Sequence, residues 1–193
     1  MNLQALARHT VDVDRLPDAP VVLDAGCRGF DFTVEMKQLR PLAKIVPMDP
    51  DTEMDGCFTY VRMALVGDDR LYAPYAAHST GEANFLTEGQ PVHYAEIRQV
   101  PCVNIEKLML LCDVTHWDVV KLDIEGSEFS VLENWPGPIA DQISVEFHDW
   151  TGDCDCTKAL ERLQSLGYRI VQHELSRQGE GIGHWDSLLV LDK

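Results

Sequence analysis

The sequence predicts an α/β domain, a mostly parallel sheet covered on both faces and closed by an antiparallel edge. Short apolar runs alternate with segments of helical period over most of the chain, which is the pattern of βαβ units. The run Val119-Val120-Lys121-Leu122 is nearly all apolar, as in a strand buried on both faces. It gives way at Asp123-Ile124-Glu125-Gly126 to a helix with Phe129, Leu132 and Trp135 on one side. The chain then closes on Tyr168–Gln172 and Ser187–Leu191, strand-like runs joined by a loop bearing Gly179, Gly181 and Gly183. That loop suits a hairpin.

Residues 1–16 read as a short amphipathic helix with Leu3, Leu6 and Ala7 on one side, within an N-terminal helical segment of residues 1–19 that Pro17 and Pro20 end. Val21-Val22-Leu23 is the first strand, followed at once by Asp24-Ala25-Gly26-Cys27-Arg28-Gly29. A helix through Phe32, Val34 and Leu39 ends before Pro41. Lys44–Met48 is the next strand and closes on Asp49. Pro47 counts against it, because proline cannot donate to a ladder. Tyr60–Val66 reads as a third strand closed by Gly67-Asp68-Asp69. From Tyr72 to Gln90 no helical period is visible, so this stretch is a strand-poor meander or a cover. Pro91–Val103 adds a short strand, Ile105–Leu110 a helix, Ile143–Asp149 a strand, and Ala159–Leu166 a helix stopped by Gly167.

One domain, residues 1–193, is the simplest division of this length, and it buries roughly 70% of the surface of its unfolded chain. Asp and Glu number 32 against 16 Lys and Arg, a net charge of −16. Such a surface repels phosphate backbones and anionic lipid, so nucleic acid and membrane are not expected as partners. No apolar run approaches the ~20 residues that cross a bilayer, and the start has no signal-like core. A cytoplasmic protein is expected, with its six cysteines as free thiols. Cys154-Asp155-Cys156 lacks the second close pair of a structural zinc site.

In open α/β sheets, ligands bind beyond the carboxyl ends of the strands. Asp24, Asp49, Asp123 and Glu125, together with Glu146 and His148 at the end of the Ile143 strand, therefore stand where chemistry is done. Ser127 is placed to cap the helix after Gly126, and Glu128 reads as an ordinary acid of its first turn. The loop after the first strand is not the Gly-x-Gly-x-x-Gly dinucleotide fingerprint, which argues against a nicotinamide enzyme. An acid opens it instead, which suits a ligand bearing an ammonium group. Asp49 follows Asp24 by 25 residues, near the ~20-residue interval at which an acid meets a ribose diol.

Three segments together, Val22–Gly29, Val119–Glu128 and Ile143–His148, resemble the FkbM family of S-adenosylmethionine-dependent methyltransferases. Ala64–Asp68 is similar to the segment after that family's third strand. The resemblance implies a Rossmann-like class I methyltransferase fold, with a seven-stranded mostly parallel sheet and a C-terminal antiparallel hairpin. It implies O-methylation of a hydroxyl on a small molecule, sugar or glycan. It also implies that Asp24, Gly26, Arg28 and Gly29 line the methionine part of the cofactor, that Asp49 takes the ribose hydroxyls, that Asp68 lies near the adenine, and that Asp123 borders cofactor and substrate. Arg28 and Phe30 stand where the common methyltransferase loop has its later glycines.

A hydroxyl acceptor needs a base, and Glu125, Glu146 and His148 are the candidates, His148 having the ordinary pKa nearest neutrality. Alternatively Asp123, Glu146 and His148 form a donor set for magnesium or manganese that lowers the acceptor's pKa. A non-catalytic S-adenosylmethionine-binding or scaffolding domain is the competing reading of the whole chain.

Overall fold

The computed structural model describes residues 1–50, 60–77, 83–85, 96–149, 156–179 and 182–192. The chain opens with two antiparallel strands, β1 (Leu3–Leu6) and β2 (His9–Asp12), in place of the expected helix. The two-residue loop between them, Ala7-Arg8, has positive φ at both positions, as tight hairpin turns that match strand twist require. Asn-Gly is the usual signal for such a turn, and this sequence lacks it. What fixes the hairpin is tertiary. The Asp12 amide donates to Gln142 Oε1 (2.7 Å), Gln142 Nε2 returns a bond to the Asp12 carbonyl (3.1 Å), and the Ala7 amide donates to Glu35 Oε2 (2.7 Å).

The main sheet has six strands: β3 (Val21–Ala25), β4 (Lys44–Met48), β9 (Trp117–Leu122), β10 (Ala140–Asp149), β11 (Tyr168–Gly179) and β12 (Ile182–Leu191), in the order β11-β12-β10-β9-β3-β4. Strands β4, β3, β9 and β10 run parallel, and β12 and β11 are the antiparallel hairpin that the sequence predicts. Alternating side chains divide the core. Val22 and Val119 face the hairpin and helix α1 (Asp31–Leu39), with Leu6, Val11, Phe32 and Met36. Leu23, Val120 and Leu122 face helices α2 (Ile105–Cys112), α3 (Glu128–Glu133) and α4 (Thr157–Ser165).

The expected seventh strand is where sequence and structure part. Val61 makes one parallel bridge to Met48, its amide bonding to the Pro47 carbonyl (2.9 Å) and its carbonyl accepting from the Asp49 amide (3.1 Å). The chain turns away, and its next strand, β5 (Ala64–Leu65), joins a second sheet. That sheet contains β6 (Tyr72–Ala77), β7 (Ala83–Phe85) and β8 (Glu96–Val103), in the order β5-β8-β6-β7. The stretch read as strand-poor thus carries β6 and β7; the rest of it, residues 78–82 and 86–90, lies outside the described residues.

Trp117 and Trp135 are core, and Trp185 lies in β12 stacked on His173. Trp150, Cys57 and Cys154 lie outside the described residues. Cys27, Cys102, Cys112 and Cys156 are free thiols. Among the described residues, no helix is long and apolar enough to cross a membrane.

Candidate active site

The parallel strands β3, β4, β9 and β10 carry their acids to one edge of the sheet. Two cavities open there, each of about 360 Å³, and Gly26, Arg28 and Asp123 form a wall common to both. One lies under the N-terminal hairpin and is lined also by Arg8, His9, Asp24, Phe32, Lys121 and Glu146. The other is lined by Gly29, Asp49, Tyr75 and Glu125. Asp24, Asp49 and Asp123 therefore converge on one cleft, Asp24 on one side of the wall and Asp49 on the other.

The wall is close-packed backbone. Gly26 has φ +77°, and a Cβ there would lie 1.7 Å from the Asp123 carbonyl oxygen. No side chain fits, so the loop after β3 rests directly on the end of β9. Asp24 and Lys121 are cross-strand neighbours on the hairpin side, where the Thr33 hydroxyl donates to Asp24 Oδ2 (2.7 Å) and Lys121 Nζ donates to the Gly26 carbonyl (2.6 Å). Lys121 Nζ also lies 3.2 Å from Asp24 Oδ1 and 3.7 Å from Asp123 Oδ2. Burial works against the Lys121 charge, yet Asp24 and then Asp123 hold its pKa above the ordinary value.

Asp123 is ringed by nitrogens: Lys121 Nζ, His9 Nε2 at 3.5 Å and His148 Nε2 at 3.5 Å. Burial would raise its pKa, but Lys121, then His9 and His148, hold the carboxyl well below the usual carboxylate range. The opposite holds for two neighbours. Burial first, then the nearby Asp123 charge, lifts Glu125 and Glu146 to about 7, against the pull of His148. Glu125 sits on a left-handed turn (φ +54°), an uncommon backbone for a residue with a side chain.

The turn into α3 corrects two expectations. The Ser127 side chain makes no capping bond. Glu128 takes that place: fully buried, its carboxylate accepts from the amides of Ile124 and Gly126 (2.8 Å each) and lies 2.9 Å from His148 Nδ1. Burial alone would lower the His148 pKa, but Glu128, then Glu125 and Asp123, raise it to about 10. The Glu128 contact thus favours the protonated form of His148, which works against the role of base that the sequence suggested. His184, packed edge-on to it (4.8 Å), is lowered by burial and by His148, and its Nδ1 lies 3.2 Å from Glu146 Oε1.

Asp68 is not brought to the cleft. It is exposed and held by Arg70, whose Nε lies 2.7 and 2.9 Å from its carboxylate oxygens, and it lines neither cavity. Lys121, His9 and Tyr75 were missed as site residues. Lys121 alternates with Asp123 along one strand, a pattern readable in the sequence, whereas His9 and Tyr75 come from elements the sequence did not reveal.

The donor set fits an elongated cation bearing a diol. Asp49 closes β4 almost fully buried, Asp24 Oδ1 is buried without an aligned hydrogen bond, and an ionised Asp123 stands between the cavities. Candidate metal-ligand atoms of His9, Asp123 and Glu146, of Asp123, Glu125 and His148, and of Glu146, His148 and His184 lie within 4.8 Å of one another. Lys121 Nζ lies 3.7 Å from Asp123 Oδ2, so this carboxylate of the donor sets already faces one positive charge.

A sheet of this order, with acids at the carboxyl ends of its parallel strands, is compatible with a nucleoside-bearing cofactor, and the family match gives the class, an S-adenosylmethionine-dependent methyltransferase. The methyltransferase FkbM domain model matches residues 29–170, and the chain belongs to that family. No curated protein matches it significantly. Similar solved structures include the precorrin-6y C5,15-methyltransferase of Geobacter metallireducens (13% identity, TM-score 0.41, 93% of this chain and 84% of that one). Others are M. jannaschii TYW2 in complex with AdoMet (11%, 0.41, 91% and 71%) and a mutant 16S rRNA (adenine(1408)-N(1))-methyltransferase of Catenulisporales acidiphilia (14%, 0.44, 98% and 97%).

Proposed function

We propose that the chain methylates a hydroxyl of a small molecule, sugar or glycan, with S-adenosylmethionine as donor. The observation that carries this reading is the ionised Asp123 standing between two cavities, one bounded by the buried Asp49 and the other by Asp24 and Lys121. When bound, S-adenosylmethionine supplies a methyl group activated by its sulfonium charge.

Asp49 takes the ribose hydroxyls. Asp24, Gly26, Arg28 and Gly29 hold the methionine part, and Asp123 borders the charged centre, where a carboxylate stabilises a cation. Transfer is an in-line displacement, so alignment in the cleft provides most of what the protein supplies. Glu125 and Glu146, held near pH 7, can accept or release a proton at neutral pH. Lys121 and the His148 imidazolium keep Asp123 charged while these two acids change state. The acidic surface favours a small acceptor over a nucleic acid.

Saturating S-adenosylmethionine is expected to raise the melting temperature by several degrees, as a ligand specific to the folded state does. Asp49→Ala should remove most of that shift. No shift in the wild type would overturn the reading. Binding without methyl transfer to any hydroxyl acceptor would favour the non-catalytic alternative.

A further inference from the structure

His9 lies outside the span of the family match, on a hairpin the sequence did not announce. It is 4% exposed and lines the cavity under that hairpin. Its ring stands edge-on to Phe32, centroids 5.9 Å apart, and its Nε2 faces Asp123 Oδ2 at 3.5 Å. Among the described residues Nδ1 has no hydrogen-bond partner. The hairpin that carries it is clamped at both ends, by Gln142 on β10 and by Glu35 on α1. A buried imidazole with one nitrogen toward a fixed carboxylate and the other unpartnered is the arrangement of a general base.

The other candidates are otherwise engaged. Glu125 lines the second cavity, with Asp49. Glu146 lines the same cavity as His9, but its Oε1 lies 3.2 Å from His184 Nδ1. In His148 the Glu128 contact favours the protonated form.

We infer that His9 is a catalytic residue: it removes the proton of the acceptor hydroxyl where His9 and Asp123 together bound the cavity under the hairpin, beside the methionine part of the cofactor, with Asp123 orienting its ring. This rests on the methyltransferase reading above. In the step, the acceptor's O–H proton passes to His9 Nδ1 while the acceptor oxygen bonds the methyl carbon. The C–S bond breaks and its electron pair stays on sulfur, leaving a neutral thioether. The His9 imidazolium is stabilised by Asp123 until solvent takes the proton.

The test has two arms. Nitrogen-15 NMR of histidine-labelled protein with S-adenosylhomocysteine, at pH 7.5, reads the tautomer directly, and the His9 signal is the one lost in both His9→Gln and His9→Asn. The expected state is neutral with the proton on Nε2; a proton on Nδ1, or an imidazolium, overturns the inference. Methyl transfer to catechol and to methyl α-D-glucopyranoside is the second arm. His9→Gln and His9→Asn should each lower kcat on a methylated probe by about 100-fold or more, with the Kd for S-adenosylmethionine changed less than about twofold. Free imidazole should restore part of the rate in His9→Gly. An undiminished kcat, or a loss confined to cofactor binding, overturns it. If neither probe is methylated, the NMR arm decides. A wild type that fails to bind S-adenosylmethionine sinks the methyltransferase reading itself, whereas normal binding with the wrong tautomer sinks His9 alone.

Discussion

Glu128 and His148 form a buried ion pair, Oε1 to Nδ1 2.9 Å, that ties the first turn of α3 to the end of β10. Glu128 also closes the Ile124–Gly126 turn through two backbone amides. One carboxylate therefore shapes the turn that presents Glu125 and fixes the charge beside Asp123.

Glu128→Gln leaves His148 buried without its counter-charge and should cost about 3 kcal/mol, lowering Tm by roughly 10 °C in a chain of this size. The pH dependence has a defined sign. The folded pKa of His148, about 10, lies above the ordinary 6.5, so the pair's contribution is complete below about pH 6.5 and is lost as pH rises toward 10. Tm measured from pH 6 to 10 should fall with pH in the wild type, and the fall should be smaller in Glu128→Gln.

Glu146→Gln should act in the opposite direction on stability. The folded pKa, about 7, is raised from 4.5, so stability linked to Glu146 is complete below about pH 4.5 and lost as pH rises through 7. At pH 8 the variant avoids a buried, crowded charge and should gain on the order of 2 kcal/mol. At pH 4.5 it should match the wild type. Urea midpoints at the two pH values check this.

Gly26→Ala drives a methyl group into the Asp123 carbonyl at a backbone angle alanine resists. A loss of at least about 3 kcal/mol is expected, with weaker binding of S-adenosylhomocysteine by calorimetry. An unchanged Tm would show that the loop and β9 are not in contact.

Gln142→Ala removes both bonds to the Asp12 backbone and should cost about 1–3 kcal/mol. The loss should be local. Hydrogen exchange should rise in residues 2–12 while β3 and β9 stay protected, and the methyl-transfer rate should fall with the displacement of His9.

The parallel core was legible because Val21–Leu23 is wholly apolar and Val119–Leu122 apolar but for Lys121, as strands buried on both faces are. The acids closing them were legible for the same reason, as polar groups at strand ends. Two things were not. The hairpin at Ala7-Arg8 carries no glycine or asparagine, so its turn is imposed by Glu35 and Gln142, residues 28 and 130 positions away from their partners. The pairing of Glu128 with His148 was not legible for a similar reason: an acid at a helix start and a histidine at a strand end show no sign of their contact in sequence. Asp68 was placed near the adenine by the family resemblance alone, and the strand before it, β5, lies in the second sheet.

Pro47 has an effect beyond the fold. It lies in β4, the outer strand of the six-stranded sheet, where a free row of amides would invite another molecule to add a strand. The missing N–H and the single Val61 bridge blunt that row. The proline thereby makes that rim a poorer template for an added strand.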